Sequence, residues 1–298
     1  MRAAERSSTD TMHAAATEAH SAALRTLLRS FGQIVLQANA FTGACLVAGW
    51  LLCDPRLACA ALIGAVAANV SAILAAHSDD DLRAGLYGFN GALAGLAAFS
   101  FIADNATAAA VAILAATGTA WLHEPWSRWL RARQLGYFSS PCLIVTWFWL
   151  SIAASGPEPA RLATTPTPDT AQFGGGVLAG LAQTGFASGA MAGAFVLIGI
   201  AAASARHALY ALTGAALASS LHVLLGAGAS SFDAGLLGFN GALTAIALTD
   251  CGVLWMLGGV AISVALQAAA AHVGFAALSA PFVVATWSVQ WLRQQAVR

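Results

Sequence analysis

The sequence has very little charge for its length. Of its 298 residues only 9% are charged, no lysine occurs, and the arginines balance the acidic residues, so that the formal net charge is zero. A soluble domain has roughly a quarter of its residues charged. The hydrophobic fraction of 59% and the mean hydropathy of +0.73 point in the same direction. We therefore expect a bilayer as the solvent and helices as the spanning elements, because lipid offers loose backbone groups no partner.

Residues that mark metal, redox or enzymatic sites are also scarce. The cysteines are Cys45, Cys53, Cys59, Cys142 and Cys251. None has a partner at convincing metal-ligand spacing, so we interpret them as small buried apolar residues. The sequence contains no P-loop, no HExxH motif and no pair of carboxylates in a pattern typical of acid–base catalysis. It predicts neither an enzyme nor an ATP-driven pump, and neither a cofactor, a metal nor a nucleic-acid partner.

Ionisable residues avoid the centres of the apolar segments. The acidic residues fall in predicted loops or at segment ends, and His222 is the one histidine placed within a predicted span. We interpret His222 as a hydrogen-bonded structural residue. Transport coupled to ions or protons usually leaves an ionisable residue at membrane depth. The expected pathway is therefore a neutral one for an uncharged solute.

Ten apolar segments approach the length needed to cross a bilayer, five in each half of the chain. They are 40–56, 58–76, 86–103, 106–122 and 135–154 in the first half, and 190–205, 207–226, 235–249, 251–271 and 273–292 in the second. Two shorter segments, 28–43 and 178–193, precede these sets and predict half-membrane helices that line a cavity. The predicted fold class is all-α integral membrane, with ten transmembrane helices plus two half-membrane pore helices.

Three phrases occur twice, in the same order. The phrase LYGFNGALAGLA at 86–97 returns as LLGFNGALTAIA at 236–247, an offset of 150 that the two half-membrane segments share. FSSPCLIVTW at 138–147 returns as LSAPFVVATW at 278–287. A repeat with five crossings must enter the membrane the other way round in its second copy, which predicts two inverted repeats.

The arginines indicate how the chain is oriented. If ten spans start from an inside N-terminus, Arg56 and Arg161 lie outside and the other arginines lie inside, a strong positive-inside bias. The predicted organisation is a cytosolic tail at 1–25, a first repeat at 26–154, an extracytoplasmic linker at 155–176 and a second repeat at 177–298. We expect both termini to be cytoplasmic, in a plasma or bacterial inner membrane.

The doubled GFNGAL resembles the bacterial and animal urea transporter family, because GQIVLQANAFTG precedes it and SSPCLIVTW or SAPFVVATW follows it. The resemblance covers nearly the whole chain after about residue 25. It implies passive transport of urea through a homotrimer of independent pores. Each pore is implied to consist of two inverted halves, with two short tilted helices meeting inside.

The resemblance also implies which residues line the pathway. They are Phe89, Leu93, Phe239 and Leu243 as slot walls, Gln33 and Gln183 as pathway amides, Leu36 and Phe186 three residues after those amides, and Ser139 and Ser279 as midpoint hydroxyls. Leu36 stands where the family has an aromatic residue, so one wall is less aromatic. Thr146 and Thr286 are alternative positions for the hydroxyls.

These residue types suit urea, which is small, flat and neutral. Removing its water without replacement costs several kcal/mol, judged from the burial of an unpaired amide. Glutamine amides both donate and accept, and the carbonyls that end a helix have no intrahelical partner, so together they predict a ladder of polar contacts. Phe89 and Leu93 share a helical face at i, i+4, as Gln33 and Leu36 do at i, i+3.

Two other functions stay open at this point. A channel of the same build would select another small neutral solute, such as a short amide, ammonia or water. Alternatively, the protein would be a membrane urea sensor or scaffold. GFNGAL is also compatible with a helix-packing motif of the small-xxx-small kind.

Overall fold

The computed structural model describes residues 20–153 and 170–296. The first helix, α1, covers residues 20–33. The later helices are α2 (Ala40–Cys53), α3 (Pro55–Leu74), α4 (Asp79–Arg83), α5 (Leu86–Phe101), α6 (Asn105–Arg131), α7 (Ser140–Ala153), α8 (Thr170–Gln183), α9 (Ala190–Ala203), α10 (Ala205–Leu224), α11 (Ala229–Asp233), α12 (Phe239–Ala247), α13 (Val253–His272) and α14 (Ala280–Ala296). Residues 1–19 of the predicted tail and residues 155–169 of the predicted linker lie outside the described residues.

Four of these helices are long and apolar enough to cross a membrane. They are Pro55–Leu74, Asn105–Arg131, Ala205–Leu224 and Val253–His272. Large apolar side chains point outward from them, and Leu74, Leu114 and Leu254 are 73–81% exposed. Exposed leucines on uncharged helix faces are stable in lipid rather than in water. The described chain is therefore an all-helical membrane protein.

The two repeats run in opposite directions where they meet. α2 and α9 hold equivalent places in the two repeats, and they pack against each other. The Thr42 hydroxyl donates to the Gly199 carbonyl oxygen at 2.7 Å. Further along, Gly49 packs close to Ala192: a Cβ atom added to Gly49 would lie 3.4 Å from the Ala192 carbonyl oxygen. Residue numbers rise along one helix as they fall along the other, so the pair is antiparallel and the repeats are inverted.

The glycines of GFNGAL bring two helices of each repeat into close contact. A Cβ on Gly91 would lie 2.4 Å from the Gly64 carbonyl oxygen, and a Cβ on Gly241 would lie 2.5 Å from that of Gly214. α5 thus packs directly on α3, as α12 does on α10. The packing interpretation of the phrase is correct for its glycines, and it leaves its phenylalanine, asparagine and leucine to be explained.

The helices at the two segments predicted to be half-membrane begin and end earlier than the sequence indicates. α1 ends at residue 33 and α2 begins at Ala40, so the predicted segment 28–43 contains a break between two helices. Leu36 ends the first helix with a left-handed φ of 60°, and the Asn39 side chain caps the second. The second repeat breaks in the same way, with φ 61° at Phe186. α8 begins at Thr170, inside the predicted linker.

Two further expectations are wrong. Cys53 and Cys59 are exposed rather than buried, because they lie on the outward faces near the junction of α2 and α3. His222 is not the one histidine within an apolar helix, because α6 continues to Arg131 and includes a fully buried His123. His222 itself is buried, with Nδ1 2.9 Å from the Ala218 carbonyl oxygen, which agrees with a structural role.

Trp50 joins the two repeats through a buried hydrogen bond. Its side chain is 1% exposed and packs edge-on against Phe31. Its indole N–H donates to the Gly185 carbonyl oxygen at 2.7 Å, just beyond the end of α8. Without the indole donor, the buried Gly185 carbonyl oxygen would lack a hydrogen-bond partner. The free energy spent on removing its water would then not be recovered. This bond therefore fixes the end of α8 against the first repeat.

We expect Trp50→Phe to lower thermal stability while leaving the fold intact. The phenyl ring retains most of the packing, and the lost hydrogen bond costs about 1–2 kcal/mol. The measurement is the melting temperature of the detergent-solubilised protein. Trp121→Phe is the matched control, because Trp121 is 66% exposed. Equal melting temperatures for the two variants would contradict the role given to Trp50.

Candidate solute pathway

A cavity of about 490 Å³ lies between the two repeats. Its walls come from both halves of the chain, and nine of the ten predicted pathway residues line it. These are Leu36, Phe89, Leu93, Ser139, Gln183, Phe186, Phe239, Leu243 and Ser279. Every described residue that lines the cavity is uncharged. The cavity therefore offers an apolar, electrically neutral interior with a few polar groups.

The predicted slot walls come from the two GFNGAL phrases. Phe89 and Leu93 lie one turn apart on α5, so they share a face as expected, and both are nearly fully buried. Phe239 and Leu243 hold the equivalent places at the start of α12. The phrase thus fulfils two roles, because its glycines pack on a neighbouring helix while its phenylalanine and leucine border the cavity.

The two predicted hydroxyls meet each other across the repeats. Ser139 Oγ lies 2.8 Å from Ser279 Oγ, so one hydroxyl donates to the other. Because the two serines are equivalent positions of inverted repeats, their contact marks the pseudo-two-fold axis. The alternative positions, Thr146 and Thr286, are fully buried and do not line the cavity.

The two predicted amides have different surroundings. Gln183 lines the cavity, whereas Gln33 does not. The Gln33 amide instead donates to the Ala84 carbonyl oxygen at 3.1 Å. Gln33 and Leu36 also fail to share a helical face, because α1 ends at residue 33 and Leu36 belongs to the turn that follows. The structure therefore brings one of the two glutamines to the cavity with the other predicted residues.

The carbonyls that end α1 and α8 are partly paired. The Phe31, Gly32 and Gln33 oxygens accept from N–H groups three residues later, at 2.9–3.1 Å. The end of α8 repeats this pattern. The expected row of unpaired carbonyls is wrong in this respect, because the last turn tightens and each of these oxygens accepts at least one N–H. The Gly32 oxygen also accepts a second N–H, from Gln37, whereas the Phe31 and Gln33 oxygens accept one each and retain a lone pair that can accept from a solute.

Two tryptophans fasten the loops beside the cavity to the opposite repeat. The Trp147 indole donates to the Ala276 carbonyl oxygen at 2.9 Å, and the Trp287 indole donates to that of Gly136 at 2.6 Å. Both tryptophans end a repeated phrase, which was the signal available in the sequence. Trp287 is half-buried between the repeats.

Sequence reasoning also missed an asparagine in each GFN phrase. Asn90 and Asn240 are each 1% exposed, and their amides bond to the backbone beside Ser139 and Ser279. The signal was their repetition beside the slot phenylalanines. Their partners lie 38–52 residues further along the chain, so no local pattern reveals them.

The fold and the cavity define a class of protein, an integral membrane transport protein of inverted helical repeats with a neutral cavity between them. The sequence model of the urea transporter family matches residues 24–294. The chain therefore belongs to the urea transporter family, a family of membrane transport proteins rather than of enzymes. The resemblance drawn from the repeated phrases is confirmed, and urea transport across a membrane is the function of the family. A comparison with curated proteins gives no match.

Proposed function

We propose that the protein is a passive urea channel whose pathway is the cavity between the repeats. The observation that carries the proposal is the convergence of nine predicted residues, drawn from both repeats, on one uncharged cavity. The uncharged lining lacks the ionisable residue that ion- or proton-coupled transport usually places at membrane depth. A neutral solute that diffuses down its own gradient needs none.

Desolvation is the main barrier that such a channel must lower. Urea loses water on entering an apolar slot, at a cost of several kcal/mol unless other polar groups replace it. The replacements come from the Gln183 amide, from the paired hydroxyls of Ser139 and Ser279, and from those helix-end carbonyls that accept only one N–H. Each contact is modest in energy, so urea is released as readily as it is bound, which conduction requires.

The slot walls supply shape selection. Phe89 with Leu93, and Phe239 with Leu243, present flat and branched apolar faces to the cavity. A plate-like molecule fits between such walls with its polar edge toward the amides and hydroxyls. A hydrated ion is both too wide and too strongly solvated to enter. The rings also offer their π faces to N–H groups, a second-order attraction.

The topology and assembly are part of the proposal. We propose ten membrane crossings, with α1 and α8 as the two half-membrane pore helices, and both termini in the cytoplasm of a bacterium. The distribution of arginines supports this orientation. The homotrimer and the inner-membrane location are supported by the family resemblance. Light scattering of the purified protein measures the number of subunits directly.

Solute selectivity tests the proposed function. Proteoliposomes loaded with urea, thiourea, acetamide or glycerol are mixed in a stopped-flow instrument with solute-free buffer of equal osmolarity, and the vesicle shrinkage that follows solute efflux is recorded. We expect rapid urea efflux, slower passage of the analogues and little glycerol flux. Faster flux of acetamide than of urea would identify a channel for another neutral solute. Urea flux equal to that of protein-free vesicles would favour a sensor or scaffold.

Replacing the cavity amide is expected to slow urea flux. Gln183→Ala removes one hydrogen-bonding group from the cavity, and a lost bond of about 0.5–1.5 kcal/mol corresponds to a roughly two- to thirteenfold decrease. Gln33→Ala should have a smaller effect, because the Gln33 amide is held by Ala84. Gln172→Ala, at an exposed position of α8, is the control. Unchanged urea flux in Gln183→Ala would show that this amide does not contact urea along the pathway.

A further inference from the structure

Each GFN phrase contains a buried amide that does not itself line the cavity. Asn90 is 1% exposed, and its Nδ2 donates to the Phe138 carbonyl oxygen at 3.3 Å. Its Oδ1 accepts from the backbone N–H of Cys142 at 3.1 Å. One asparagine side chain thus bridges the backbone on both sides of Ser139. The bonds join α5 to the first turn of α7.

The second repeat contains the same bridge. Asn240 Nδ2 donates to the Leu278 carbonyl oxygen at 3.1 Å, and its Oδ1 accepts from the Phe282 N–H at 3.3 Å. Here the bridged residue is Ser279. Because one arrangement occurs in both repeats with the same pair of backbone atoms, it is a feature of the fold and not of one local environment.

The bridged backbone is one that needs external support. Phe138 and Leu278 have φ angles of 45° and 51°, a left-handed conformation that is costly for residues other than glycine. The N–H groups of Cys142 and Phe282 belong to the first turns of α7 and α14, where no intrahelical acceptor exists. Each asparagine therefore holds the strained carbonyl and satisfies an orphan donor, with the serine fixed between them.

We propose that Asn90 and Asn240 are positioning residues that set the separation of the Ser139 and Ser279 hydroxyls, and with it the size of solute that passes. The inference rests on the proposed channel function. Each asparagine directly follows the slot phenylalanine of its own phrase. In each repeat, the asparagine therefore fixes the position of the slot phenylalanine relative to the serine hydroxyl, although the asparagine side chain itself contacts no solute.

The two bridges are not equally connected. The Asn240 amide also donates to Gln267 Oε1 at 2.9 Å, and Gln267 Nε2 donates to the Leu236 carbonyl oxygen at 2.6 Å. Gln267 and Leu236 both line the cavity. A change at Asn240 therefore disturbs the serine and a polar part of the cavity wall together. We expect it to alter selectivity more than the same change at Asn90.

The test uses Asn90→Leu and Asn240→Leu, each compared with Asn105→Leu. Leucine has a similar size but makes neither hydrogen bond. Asn105 is exposed, accepts from Arg56 and does not itself line the cavity, so its variant controls for the substitution itself. Asn90→Asp and Asn240→Asp keep the Oδ1 acceptor and the shape of the side chain. They replace the leucine variants in the test if the leucine variants do not fold.

Two measurements separate positioning from simple stability. The first is the ratio of thiourea to urea permeability in proteoliposomes. We expect this ratio to change about tenfold in Asn240→Leu, less in Asn90→Leu and the aspartate variants, and not in Asn105→Leu. A purely structural role would reduce the number of working channels and lower both permeabilities equally. An unchanged ratio would therefore overturn the proposal.

The second measurement does not depend on any solute. Hydrogen exchange followed by mass spectrometry reports the amides of Cys142 and Phe282, which we expect to exchange faster in the variant of their own repeat. Unchanged exchange would show that the bridges do not hold the backbone, and would overturn the inference. A wild-type protein that conducts no urea would overturn the proposed function instead, while the exchange rates still decide whether the bridges exist.

Discussion

Replacing Ser279 by tryptophan is expected to reduce urea flux to the level of protein-free vesicles. Ser279 is only half-buried, and its hydroxyl meets that of Ser139 at the pseudo-two-fold axis, where both border the cavity. An indole at this point fills space that a solute must cross. It also removes the hydroxyl that would replace part of the solute's water. We expect urea permeability to fall at least about tenfold, as for a barrier raised by more than 1.4 kcal/mol.

The control for this experiment is Leu114→Trp. Leu114 lies on α6, is 73% exposed and does not border the cavity. It receives the same indole on an outward face, where lipid accommodates it. Both variants are reconstituted at equal protein density, and shrinkage under a urea gradient is recorded. Wild-type flux through Ser279→Trp would place the urea pathway elsewhere in the protein.

Adding a single methyl group to Gly91 is expected to destabilise the protein strongly. A Cβ there would lie 2.4 Å from both the Ala68 Cβ and the Gly64 carbonyl oxygen, so α3 and α5 must separate to accept it. Overpacking of this kind costs about 1–3 kcal/mol or more. We expect Gly91→Ala to lower the melting temperature in detergent and Gly91→Val to prevent recovery of folded protein. Gly241, the equivalent position, should respond in the same way.

Gly258→Ala provides a control with the opposite sign. Gly258 lies within α13 and a Cβ there would have no neighbour within 4 Å. Replacing glycine by alanine in a helix with free space raises stability by up to about 1 kcal/mol. The same chemical change should therefore raise the melting temperature at one position and lower it at the other. Equal shifts in the two variants would contradict the close packing of α3 and α5.

The shared helical face of the residues proposed as slot walls could be predicted from the sequence, because that information is local and repeated. Phe89 and Leu93 are four residues apart in a helical segment, which places them on one face wherever the helix lies. The second copy of the phrase then predicts the same face in the inverted repeat. The neutral character of the cavity also follows from composition, since ionisable residues avoid the centres of most apolar segments.

The different surroundings of the two glutamines could not be predicted in this way. The helix ends at residue 33 because Leu36 adopts a left-handed backbone, and leucine is not a residue that signals this conformation. The partner of the Gln33 amide is a backbone carbonyl 51 residues away, at Ala84. Any residue type presents such a carbonyl, so the sequence carries no trace of the contact.

The bridges at Asn90 and Asn240 escaped prediction for the same reason. Their partners are backbone atoms at the start of α7 and α14, which become neighbours only after the helices pack. The repetition of an asparagine beside a cavity residue indicates a role for it, but the sequence does not show which atoms it bonds to. The Ser139–Ser279 contact is different, because inverted symmetry alone requires some pair of equivalent residues to meet at the axis, and the sequence identified these two as candidates.

The most direct test of the account is urea flux through proteoliposomes with and without ion gradients. Permeability is measured first with equal pH and sodium on both sides and no membrane voltage, and then with each gradient imposed in turn. A neutral passage between inverted repeats predicts flux well above that of protein-free vesicles, with the same rate under all conditions. Urea movement that appears only when a proton or sodium gradient is present would contradict it.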